Sequence, residues 1–257
     1  MKTAFVMSYL GTAYHGWQRQ KNALTVQEVM EETLARLCAR RPAVSGCGRT
    51  DAGVHAEYYV ASADIETGVP LDRMPLALGS LLPKDVSVRR AIAVPEDFDA
   101  RFSCKSKEYT YRIHNSRVRD PFYADRAYFF PQRLDERAMA EAAQGFVGKR
   151  DFAAVKSEGS PVKSTVRTVE YCRVRREGDM VLVSVRADGF LYNMVRAITG
   201  TLIYCGIGKL SPQDVPLLLA GGRREDTGPT APACGLYMTD AFYGMEELDG
   251  QAGGAGK

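Results

Sequence analysis

Between Ser45 and Ala56 the chain reads S-G-C-G-R-T-D-A-G-V-H-A, which sets one carboxylate, Asp51, between Arg49 and His55. A carboxylate in such a place can act as a nucleophile or as a base, and an arginine beside it stays charged at any working pH. The Gly-x-Gly opening raises a dinucleotide-binding loop as an alternative. Gly53 falls too late for G-x-G-x-x-G, however, and a strand rather than a helix is expected to follow. The Lys-Ser/Thr pair of a phosphate-binding loop is also missing. Taken alone, T-D-A-G describes a turn whose aspartate bonds its own backbone, so local sequence gives Asp51 no function.

The elements that must hold this loop can be read from periodicity and punctuation. Residues 3–10, rich in aromatic and β-branched types, predict a strand. Thr25 and Glu28 form a capping box, after which Val26, Val29, Met30, Leu34, Leu37 and Cys38 recur at helical spacing. Strands are expected at 54–65 and 86–94, with a helix near 72–82 closed by Pro83. The pattern then begins again. Residues 107–114 alternate as a strand, and a helix at 135–146 starts at Asp135. Strands at 166–176 and 180–188 flank the turn Glu177-Gly178-Asp179. A helix from about 191 carries Leu191, Met194, Val195, Ile198 and Leu202 on one stripe, and another opens at Ser211 with Pro212 in first position. A last strand spans 236–243, and residues 250–257 read as a disordered tail. The class is α+β: two similar halves, 1–100 and 101–249, each a largely antiparallel sheet backed by helices.

The length of the match, rather than the aspartate itself, changes the reading of Asp51. G-R-T-D-A-G-V-H-A resembles, position for position, the active-site signature of the tRNA pseudouridine synthase A (TruA) family. The resemblance continues through Y-L-G-T-A-Y-H-G-W-Q-R-Q from Tyr9, T-V-Q-E-V-M-E-E-T-L from Thr25, and R-F-S-C-K-S-K-E-Y-T-Y-R-I from Arg101. G-F-L-Y-N-M-V-R from Gly189 and G-L-Y from Gly235 complete it. Cys47, Cys234 and Asn193 depart from the residues more usual in the family.

The resemblance implies an isomerase that converts uridine to pseudouridine at positions 38, 39 and 40 of the tRNA anticodon stem-loop. It also implies the pseudouridine synthase fold, with the active-site cleft between the two halves. The reaction breaks the N1–C1′ bond and joins C5 to C1′, an isomerisation that needs neither redox cofactor nor energy source. By resemblance Asp51 is the catalytic carboxylate and Arg196 the cation that opposes its desolvation. Phe190, Leu191, Met194 and Val195 surround Arg196 and argue for a buried location, where a charge needs a partner. Tyr109 is the family's active-site tyrosine, able to stack on the target base for about 1–3 kcal/mol; Tyr111, on the same face, reads as core. Arg49 matches an arginine that holds the strand once the base is displaced. His55, Arg101, Lys107, Phe190, Leu191 and Met194 complete the expected substrate-binding set. A homodimer gripping tRNA is implied as well.

Composition is compatible with these expectations without demanding them. The 257 residues, 45% hydrophobic and 25% charged, suit a globular protein. No run approaches the roughly 18 apolar residues of a membrane span, which makes a cytoplasmic enzyme with no membrane partner the default. The six cysteines lie far apart and the three histidines stand at 15, 55 and 114, so no metal is expected, and the isomerisation that the resemblance implies calls for no small-molecule cofactor. Residues 101–119 hold six basic side chains against the single acid Glu108, a local +5 that exceeds the chain's net +3 and suits an RNA partner. Arg40-Arg41, Arg89-Arg90, Arg173, Arg175-Arg176 and Arg223-Arg224 add further basic patches. A glycosidase-type hydrolase would want a second acid across the cleft, and none stands out. A pure RNA binder has no need of a buried carboxylate.

Overall fold

A computed structural model of the chain describes residues 1–159 and 162–249, so the tail expected at 250–257 lies outside the described residues. In chain order the structure holds β1 (Lys2–Tyr9), α1 (Val26–Ala35), β2 (Ser45–Gly46), β3 (His55–Asp64), α2 (Met74–Gly79) and β4 (Val86–Ala93). There follow β5 (Ser106–His114), β6 (Tyr128–Phe129), α3 (Glu136–Gln144), β7 (Gly148–Asp151) and β8 (Val166–Glu177). The chain ends with β9 (Met180–Ala187), α4 (Met194–Gly206), α5 (Val215–Gly221) and β10 (Leu236–Phe242). This is the α+β class read from the sequence. Two compact units divide the chain: Met1–Lys107 with the segment from Met238 onward, and Glu108–Tyr237.

In the first unit the strand order is β4-β1-β3-β10, with β2 paired to β3. β1 lies antiparallel to both β3 (Phe5↔Ala61, Val6↔Val60) and β4 (Phe5↔Ala91, Tyr9↔Val86). Its central residues Ala4 to Met7 are buried on both faces, as expected of an interior strand covered on two sides. Register shifts between Met7 and Tyr9 against β3, so the strand bends just before it meets the Asp51 loop. Thr25 caps α1 by accepting the Glu28 N–H at 3.3 Å, and Val26, Met30 and Leu34 fill the core beneath.

In the second unit β5-β9-β8-β7 are neighbours in that order, and β6 runs parallel to β5. β8 and β9 form a hairpin in which Glu177 faces Met180 and Gly178 takes φ 59°. Asp135 caps α3, accepting from the N–H groups of Arg137 and Ala138. α3 packs on β8 and α4. The buried helix α4 is crossed at close range by the chain near Pro229. A Cβ on Gly200 would lie 1.7 Å from the Pro229 carbonyl oxygen, so only glycine fits there.

Two helices begin later than the periodicity predicts. The apolar stripe from 191 is real in burial, but α4 starts at Met194 because Asn193 adopts φ 60°, outside the right-handed helical region. The helix expected at Ser211 opens as a short 3-10 turn, Pro212–Asp214, and α5 starts afresh at Val215. Pro216 has no N–H to continue a helical ladder from Pro212, which accounts for the break. The helix expected at 72–82 is shorter, Met74–Gly79.

Candidate active site

The loop carrying Asp51 links β2 to β3 and is fastened from below by the chain just after β1. Tyr9 and Thr50 share a hydrogen bond between hydroxyls at 2.9 Å, and the Trp17 N–H donates to the Thr50 carbonyl at 3.2 Å. Gly53 donates to the Tyr14 carbonyl at 3.2 Å, and Gly11 donates to Nδ1 of His55 at 2.9 Å. The Tyr59 hydroxyl donates to the Gly48 carbonyl at 2.6 Å. Beneath these bonds Trp17 and Tyr59 pack with centroids 4.3 Å apart, and Tyr9 meets Tyr59 edge-on at 5.5 Å, a geometry that aromatic rings favour. Burial raises the Tyr9 phenol above the ordinary tyrosine range, so it stays a neutral hydrogen-bonding group.

The result is a turn, closed by the Val54 N–H on the Asp51 carbonyl at 3.1 Å, with Thr50, Val54 and His55 buried and Asp51 half-buried. The aspartate is therefore presented on a rigid support rather than on a loose loop. The fit is tight at Gly16, which takes φ 80° and whose absent Cβ would lie 2.1 Å from the Thr50 carbonyl oxygen. Gly16→Ala thus combines a left-handed backbone with a backbone clash, at a cost of at least about 2 kcal/mol. In a protein of this size that corresponds to a fall of about 4–8 °C in Tm. Scanning calorimetry checks this; an unchanged Tm would contradict the described fit of the two segments.

The other expected residues of the first unit stand around this turn in differing environments. His55 is fully buried and uses Nδ1 as an acceptor, which assigns its proton to Nε2. Arg49 is exposed. Lys107 runs its aliphatic stem past Gly48, its Cε 3.4 Å from where a Cβ would stand. Arg101 is exposed, lies over the Phe102 ring at 5.4 Å, and lines the same cavity as Arg49.

In the second unit Tyr109 on β5 is 6% exposed and meets Phe190 edge-to-face, with centroids 5.1 Å apart. Tyr111 is fully buried and donates to the Pro232 carbonyl at 2.6 Å, a core residue as expected. Arg196 is half-buried on the first turn of α4. Its Nε donates to the Ala231 carbonyl and its Nη1 to Oδ1 of Asn193, both at 2.7 Å. Asn193 also donates from Nδ2 to Ser157 Oγ at 3.0 Å. These bonds fix the plane of the guanidinium. Leu191 and Met194 are buried, and Phe190 is half-buried.

Three contributors are not evident from the sequence. Asn193 stands out there only as a departure from the family pattern, Ser157 carries no signal, and Glu31 reads as one acid among several. Glu31 is buried on α1 and takes hydrogen bonds from Gln27 (3.1 Å), Arg41 (3.4 Å) and the Val44 N–H (3.3 Å). Among the described residues no group of three or more His, Cys, Asp or Glu could hold a metal ion, and no helix is long and apolar enough to cross a membrane. Burial raises the Cys47 and Cys172 thiols to about 12, leaving both protonated and inert at neutral pH.

Comparison with known proteins decides the family. The tRNA pseudouridine synthase family model matches residues 5–103 and 142–244. The chain belongs to the tRNA pseudouridine synthase family. The tRNA pseudouridine synthase A of Ruminiclostridium cellulolyticum is 43% identical over 94% of this chain and 99% of its own. That of Acetivibrio thermocellus is 41% identical over 93% and 98%, and that of Methylacidiphilum infernorum 43% over 92% and 93%. The family resemblance read from the motifs is thus confirmed by nearly end-to-end similarity. The enzyme is an isomerase, and its chemistry is the rearrangement of uridine to pseudouridine in tRNA.

Proposed function

We propose that this enzyme isomerises uridine to pseudouridine at positions 38, 39 and 40 in the anticodon stem-loop of tRNA, with Asp51 as the catalytic carboxylate. The observation that carries the assignment is the held turn: Asp51 stands half-exposed on a loop in which Thr50, Val54 and His55 are buried and Thr50, Gly53 and His55 are bonded to the segments beneath. Such a support suits a carboxylate that must meet a reacting atom in one geometry. The reaction breaks N1–C1′, forms C5–C1′, releases the C5 proton to solvent and takes up one proton on N1; substrate and product have the same composition, so no cofactor enters.

Arg196 serves as the cation of the reaction and Tyr109 as the aromatic surface and hydroxyl for the base. Arg49, Arg101 and Lys107 hold backbone phosphates, and Phe190 contributes apolar surface beside Tyr109. His55, Leu191 and Met194, all buried, act by fixing the segments that carry Asp51 and Arg196. The enzyme works as a homodimer in the cytoplasm, on tRNA alone.

The test is to map pseudouridines in tRNA from cells lacking the protein, and from the same cells with the gene restored. Loss at positions 38–40 that is regained on restoration is expected. Loss confined to sites outside the anticodon arm would refute the substrate assignment.

A further inference from the structure

We infer that the cavity beside the Asp51 loop is a phosphate-binding subsite that grips the RNA backbone through Arg40. The inference rests on the proposed tRNA reading and adds a named contact to it. The cavity, about 660 Å³, lies wholly within the first unit and is walled by residues 40–46, Trp17, Gln18, Gly48, Arg49 and Arg101. Five basic residues line it, Lys2, Arg40, Arg41, Arg49 and Arg101, against the two acids Asp64 and Asp99.

The pairing inside the cavity decides which cations face a ligand. Lys2 is taken by Asp64 at 2.9 Å, and Arg41 by Glu31 at 3.4 Å and Glu32 at 3.9 Å. Asp99 is turned inward: its carboxylate accepts the N–H groups of Arg101 (2.8 Å) and Phe102 (3.0 Å). Partial burial works against its ionised form, but these bonds, the Ser45 hydroxyl and the Lys2 charge hold its pKa below the usual carboxylate value. Arg40, Arg49 and Arg101 make no ion pair among the described residues. Three of the five basic residues therefore line one cavity without an ion-pair partner among the described residues, an excess of positive charge that favours an anion.

Arg40 is also carried on a fixed segment. Ala39 donates to the Glu66 carbonyl at 2.9 Å, and Val44 is held through its N–H by Glu31 and through its carbonyl by Gln27. The backbone that carries Arg40 is thus already ordered, which lowers the cost of binding. Trp17, the aromatic of the wall, is 3% exposed and offers no face for base stacking, which favours a backbone phosphate over a nucleobase.

The test compares the intact enzyme with Arg40→Ala and Arg40→Glu by fluorescence anisotropy of an end-labelled tRNA transcript between 50 and 200 mM KCl. Arg137→Glu, an exposed arginine on α3, controls for bulk charge. Arg40→Ala is expected to weaken binding at least about threefold and Arg40→Glu at least about tenfold. The salt slope should fall by about 0.7–0.9, the value for one lost phosphate contact. The kcat at saturating tRNA should stay within about twofold, and Arg137→Glu should match the parent protein.

Unchanged affinity and slope in both Arg40 variants would overturn the subsite, as would an equal loss in Arg137→Glu. Uridine monophosphate binding that depends on Arg40, with tRNA affinity unaltered, would instead reassign the cavity to a free nucleotide. Arg40-dependent tRNA binding by a protein that makes no pseudouridine would sink the proposed function and leave the subsite standing.

Discussion

Asp51→Asn is expected to abolish tritium release from tRNA carrying 5-tritiated uridine, by at least about 10⁴-fold, the scale on which loss of a nucleophile or its base is felt. The substitution keeps shape and removes only the charge. A carboxamide is a poor nucleophile and no base, so each of the three roles open to the carboxylate fails alike: attack on the base, attack on the sugar, or removal of a sugar proton. The described fastenings of the loop run through Tyr9, Trp17, Tyr14, Tyr59 and the backbone, so folding should survive with Tm within a few degrees. Affinity for tRNA should change by less than about threefold, because the contacts proposed to hold RNA are cationic. Residual release within about tenfold of the parent, in protein shown to be folded, would remove Asp51 from the chemistry.

The support of Asp51 was legible only in part from the amino-acid sequence, for reasons of range. Thr25 and Asp135 declare themselves as caps because the groups they bond lie within three residues. Tyr9 and Thr50 are 41 residues apart, and the 2.9 Å bond between them is decided by how the chain after β1 packs under the loop. The motif therefore identifies the expected reacting residue but not what holds it. Glu31 shows the same limit. It sits on α1 among apolar positions without breaking the helical pattern, and becomes buried only because Arg41, Gln27 and the Val44 N–H close over it. Of two neighbouring arginines that read alike, Arg41 is thereby paired, and Arg40 has no ion pair among the described residues. Periodicity misplaces the start of α4 because an apolar stripe reports burial, and Leu191 is buried without being helical.

The second large effect is expected at Asn193, and it tests Arg196 without removing it. Asn193 does two things at once. It adopts φ 60°, which asparagine tolerates better than most residues. Its amide oxygen also accepts from the Arg196 guanidinium at 2.7 Å. Asn193→Gly keeps the backbone and deletes the amide. A hydrogen bond to a charged group is worth about 1.5–3 kcal/mol, so kcat should fall about 10- to 100-fold if the guanidinium must be held in one plane, with KM for tRNA and Tm little changed. Asn193→Ala loses the bond and strains the backbone, so it should show the same kinetic defect with a lower Tm. Asn193→Asp places an anion on Arg196 and partly neutralises the charge that the proposed mechanism uses to keep Asp51 ionised. The pKa of the proposed catalytic carboxylate should then rise, and the acid limb of the pH–rate profile should move to higher pH. Rates at high pH should recover more fully in Asn193→Asp than in Asn193→Gly, because an aspartate can still accept from Nη1. A merely structural asparagine would lower Tm in all three variants and leave the acid limb where it is, and that outcome would strip Asn193 of its positioning role and Arg196 of its electrostatic one.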